Sequence, residues 1–92
     1  MNDISNEIFQ IEIPTVDIIT NKQLVNYLND KSFRSEQRNQ GFTMWHFKGF
    51  RSVMSAATKI HDISGEQLIP YRLFCENQNA LFISYGDVFN SI

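Results

Sequence analysis

Residues 7 to 13, Glu-Ile-Phe-Gln-Ile-Glu-Ile, nearly alternate between apolar and polar. Phe9, Ile11 and Ile13 fall on one side, and Ile8, Gln10 and Glu12 on the other. That period of two predicts a half-buried strand. Pro14 has no N–H to give a ladder and should end it. Leu24, Val25 and Leu28 then recur at helical spacing behind Thr20, a fair N-cap, and predict a short helix over 21–30 with Tyr27 at its flank. A helix so short must be held by packing rather than by propensity.

Residues 29–41 are polar apart from Phe33 and read as a long loop, or as a frayed helical extension through 35–39, ended by Gly41. The aromatic run 42–47 predicts a second strand, with Met44 and His46 facing one way and Thr43, Trp45 and Phe47 the other. Phe50, Val53, Met54, Ala57 and Ile60 form the clearest helical stripe, ending near Asp62, before Gly65. Residues 71–76 and 80–85 read as a hairpin around Asn77-Gln78-Asn79. The tail from Val88 to Ile92 is apolar enough to dock.

The predicted order is β-α-β-α-β-β in one small α+β domain over 1–92, with a flexible start over 1–6. A four-stranded, mainly antiparallel sheet carrying two helices on one face would bury both helix stripes. Ninety-two residues, 42% of them hydrophobic, supply one core and argue against global disorder.

Charge adds a pattern that the net value of −2 hides. From Lys31 to Arg51 there are five cations and one anion; the remainder holds three cations and nine anions. Phe33, Phe42, Trp45, Phe47 and Phe50 lie in the same positive stretch. Cations beside aromatic side chains suit a surface that grips an anionic partner. Arg34, Arg38, Trp45, Lys48 and Arg51 are therefore the candidate partner-binding residues. Arg34 and Arg38 would share a face if their segment were helical.

Chemistry is sparse by comparison. The single cysteine, Cys75, excludes an intrachain disulfide and fits a reducing, cytoplasmic setting. Within a predicted strand it reads as a buried structural thiol rather than a nucleophile served by His46 or His61. His61 near a helix end is explained by the dipole without a metal. Asp62, Glu66, Glu76 and Asp87 fall at turns and element ends, where solvated acids are ordinary. The four glycines are scattered, with no phosphate-loop spacing. No catalytic residue, metal or cofactor is expected. The acidic amino terminus does not resemble a signal peptide, and no apolar run reaches the roughly 18 residues of a membrane helix.

Phe47-Lys48-Gly49-Phe50 is similar over three residues to the Lys-Gly-Phe core of the RNA-recognition motif's central strand. The pattern departs at once, because Arg51-Ser52-Val53-Met54 opens a helix stripe, and the order of elements differs. The match is chance.

The leading expectation is a small non-enzymatic interaction protein that binds and blocks an acidic protein surface or a nucleoprotein complex. Phage and mobile-element genes encode many inhibitors of this size, including anti-CRISPR and anti-restriction proteins; that analogy rests on size alone. A single-stranded nucleic-acid-binding module is the first alternative, although the acidic remainder opposes it. A small-ligand-binding or enzymatic α+β domain is the second. Self-association through an open strand edge is compatible with each.

Overall fold

The computed structural model describes residues 7–38, 41–65, 69–77 and 80–85. The start at 1–6, the tail at 88–92 and most of the hairpin turn lie outside the described residues. The elements are β1 (Ile8–Pro14), α1 (Thr15–Ile19), α2 (Lys22–Lys31), β2 (Arg34–Arg38), β3 (Phe42–Lys48), α3 (Phe50–Ser64), β4 (Tyr71–Cys75) and β5 (Ala80–Tyr85). The five strands form one sheet in the order β2-β3-β1-β4-β5, and every neighbouring pair is antiparallel.

The small antiparallel α+β class is as expected; the strand count is not. The segment expected to be a polar loop is the end of α2 followed by β2, a fifth strand at the sheet edge. A residue on an edge strand can face solvent with both its side chain and its outer backbone. Arg-Ser-Glu-Gln-Arg can therefore pair with β3 without any apolar alternation. The separation of Arg34 and Arg38 by four residues places them on one face through strand periodicity, not helical periodicity. The short α1 was also not foreseen. It follows Pro14 directly and is tied to the β2–β3 turn by Thr15 N–H donating to Gly41 O at 2.8 Å.

Elsewhere the periodic segments fold as their patterns predict. Asn21, one residue beyond Thr20, caps α2, its side-chain oxygen accepting from the Leu24 N–H at 3.0 Å. Leu24 and Leu28 of α2 pack with Val53, Ala56, Ala57 and Ile60 of α3. Both helices cover the sheet face formed by Phe9, Ile11, Ile13, Trp45, Phe47, Tyr71, Leu73 and Cys75. Burying a Leu or Ile in such a layer contributes about 1.5–3 kcal/mol, and truncating one to Ala costs about 2–5 kcal/mol. The turn from β3 into α3 requires Gly49, whose φ of 94° lies in the left-handed region. Its N–H donates to Glu7 O at 2.8 Å, clamping the turn to the start of β1.

Candidate functional site

Strand alternation gives the sheet a second face that no described helix covers. Its side chains form two rows across the strands. Glu36, Met44, Glu12 and Arg72 are successive register partners in one row; Arg34, His46, Gln10 and Phe74 are partners in the next. On this face Glu12 is nonetheless only 5% exposed and His46 2% exposed.

A carboxylate buried to that extent needs compensation. Arg72 donates to Glu12 Oε1 through Nε at 3.1 Å and also through Nη2. Arg38 Nε lies 3.6 Å from the other oxygen, Oε2. His46 is likewise held on both sides. Its Nε2 is 3.1 Å from Glu36 Oε1, and its Nδ1 is 3.4 Å from Gln10 Nε2. Gln10 donates onward to Glu76 Oε1 at 3.1 Å. The hydrogen bond from His46 is the main cause that holds the Glu36 carboxyl below its ordinary pKa; partial burial opposes it, and the charges of Arg34, His46 and Arg38 add to it.

The positive stretch of the sequence is thus dispersed by folding. Arg34, Arg38 and Lys48 come to the open face, joined there by Arg72 from another part of the chain. Four cations there stand against the carboxylates Glu12, Glu36 and Glu76, and Glu36 also lies 3.4 Å from Arg34 and 3.9 Å from Arg38. The result is a lattice of both signs rather than a basic patch. Phe33, more than half exposed, sets its ring beside His46 with centroids 6.1 Å apart. Phe74 sits under the Arg72 guanidinium at 5.6 Å.

The five candidate binding residues therefore do not converge. Arg34, Arg38 and Lys48 share the open face. Arg51 lies on the helix layer, lining a shallow cleft of about 300 Å³ with Tyr27, Lys31, Ser52 and Ser55. Trp45 is 3% exposed and register partner of Ile11, so it belongs to the core and offers no contact surface. Its Nε1 is buried without a hydrogen-bond partner in the described structure.

Sequence reasoning missed Glu12, Gln10 and Arg72 as members of the site. Glu12 and Gln10 carried one available signal, a place on the same strand face opposite the core residues. Arg72 carried none, because its partner lies sixty residues away.

The candidate catalytic groups are also separated. Cys75 is buried on the helix-covered face beside Phe9, with its Sγ 3.5 Å from Glu7 Oε2, whereas His46 is on the opposite face. His61 Nε2 is 2.9 Å from the Tyr71 hydroxyl, and its ring packs edge-on to Tyr85. Tyr71 has its pKa raised by burial and, secondarily, by Tyr85. Among the described residues, no group of three or more His, Cys, Asp or Glu side chains converges, and no helix is long and apolar enough to cross a membrane.

Comparison with protein-family models, with curated proteins and with solved structures finds no match to this chain.

Proposed function

We propose that this protein is a small interaction module that binds another protein through the open face of its sheet and blocks it. The observation that carries this reading is the lattice of mixed charge across β2, β3, β1 and β4. Hydrogen bonds from Arg72 hold Glu12 there and His46 Nε2 lies 3.1 Å from Glu36, while Arg34 and Arg38 approach the same two carboxylates as ion pairs. A surface so preorganised loses little side-chain entropy on binding. A partner surface bearing charges of both signs complements it, with Phe33 and Phe74 supplying apolar contact between the charges. A polyanion such as nucleic acid is complemented less well, because Glu12, Glu36 and Glu76 lie among the cations. The blocking role rests on the size analogy alone.

The experiment pairs affinity capture from lysate, with and without nuclease, with charge reversal of the open face. Arg34→Glu and Lys48→Glu alter exposed side chains outside the buried Glu12 pairing. Arg38 is avoided because Arg38→Glu would set a second carboxylate against Glu12. The expected result is a nuclease-resistant partner whose affinity falls by more than about tenfold in the double variant. Undiminished capture by the variant would refute the open face as the binding surface. Capture that disappears with nuclease would favour nucleic acid, and a mobility shift with short DNA and RNA would then test it directly.

A further inference from the structure

The two edges of the sheet are built differently. β2 carries Arg34, Glu36 and Arg38 on one face and is blunted by charge, one of the ways edge strands avoid unwanted pairing. Two copies of β2 aligned antiparallel about Glu36 would set Arg34 against Arg38 and Glu36 against Glu36. β5 at the opposite edge, Ala-Leu-Phe-Ile-Ser-Tyr, has no charged residue at all. Leu81 is 50% exposed, Phe82 45% and Ile83 36%. Phe82 is also the outer member of an aromatic row. Its ring centroid is 5.9 Å from that of Phe9, which in turn is 5.6 Å from that of Phe50, itself more than a third exposed. The apolar surface at β5 therefore continues the core outward to an edge that no described strand pairs.

We infer that β5 is a self-association surface, on which a second copy of this chain docks its own β5 antiparallel about a two-fold axis. Self-pairing meets no like-charge contact, and the isologous arrangement buries the same apolar side chains from both copies. The β-bulge between β4 and β5 takes Phe82 out of the regular ladder. The contact is accordingly one of packed side chains, with strand hydrogen bonds added where the bulge allows. A six-residue edge makes an interface at the low end of the specific size range, about 1,200 Å² or less in total, so association is expected at micromolar rather than nanomolar concentration. The surface lies at the edge opposite β2 and does not depend on the open-face reading.

Sedimentation of the full chain from micromolar to submillimolar concentration tests this, beside Leu81→Lys and Ile83→Lys. The wild type should move from its monomer mass of 10.7 kDa to twice that value. Each variant should stay monomeric with an unchanged circular dichroism spectrum. Leu81 is half exposed, so its replacement leaves the core intact and decides the matter if Ile83→Lys fails to fold. A wild type that stays monomeric throughout overturns the inference. A dimer that persists in the folded variants places the contact elsewhere and overturns it equally.

Discussion

Glu12 on β1 and Arg72 on β4 are register partners, and two nitrogens of the Arg72 guanidinium converge on one carboxylate oxygen of Glu12. Arg38 approaches the other oxygen from β2, two strands away on the other side. One buried carboxylate thus ties together strands from the beginning, middle and last third of the chain. The pairing also neutralises charge that would otherwise forbid a glutamate at 5% exposure.

Removing one guanidinium leaves the other to compensate Glu12. Arg72→Met should cost about 1–3 kcal/mol, less than the loss of the sole partner of a buried charge, and Arg38→Met less again. The double replacement should cost more than the sum of the two, because it leaves Glu12 with neither. Glu12→Leu in that double background should recover part of the loss. Chemical denaturation of the four variants measures this, and additive, small effects would show that the two arginines do not share the carboxylate.

Glu36 gives the open face a pH dependence. Its pKa is lowered from the ordinary 4.5, first by the hydrogen bond from His46. Its contribution to stability is complete above the ordinary value and is lost as pH falls through the lower folded value. Wild type should therefore exceed Glu36→Gln in stability at neutral pH by a margin that narrows below about pH 4.5. Urea melts across that range provide the check. A margin that stayed constant with pH would remove the ionised carboxylate from the explanation.

What the sequence made legible follows from burial on one face. β1, α2 and α3 each carry a core-facing stripe with a more polar reverse, visible as a period of two or 3.6, and β3 shows itself through its aromatic run. β2 has no such contrast. Four of its five residues are exposed and the fifth, Glu36, is only half-buried, so it looked like a loop. α1 is five residues long, too short to show a period. The alternation at residues 42–47 did separate Trp45 from His46. It could not say which side the helices would cover, and that decided that Trp45 is core. The open-face lattice was hidden for another reason: it joins residues 10, 12, 36, 46, 72 and 76, and only the strand order 2-3-1-4-5 brings them into adjacent rows.

Trp45 reports its own burial, since it is the only tryptophan in the chain. Its fluorescence should be blue-shifted in the native state and far less accessible to acrylamide than after denaturation. Emission at the wavelength of the denatured chain would contradict its place beside Ile11. Trp45→Phe removes the unpartnered Nε1–H together with some packing. The two effects oppose one another, and the net cost should be about 1–3 kcal/mol, below the 3–5 kcal/mol typical of truncation to Ala.

Tyr71 supplies a last observable, at the end of the sheet away from the charged face. Its ring stacks on Tyr85 with centroids 5.6 Å apart, and its hydroxyl contacts His61. Burial first, and then Tyr85, raises its pKa above the ordinary 10.0. Folding therefore favours the neutral phenol: the stabilising contribution is fully present below pH 10.0 and is lost as pH rises through the higher folded value. In a spectrophotometric titration the wild type should show a late tyrosinate step that coincides with loss of structure. In Tyr71→Phe that step should disappear. A late step retained in the variant would assign it to another tyrosine and would separate the stability of this corner from Tyr71.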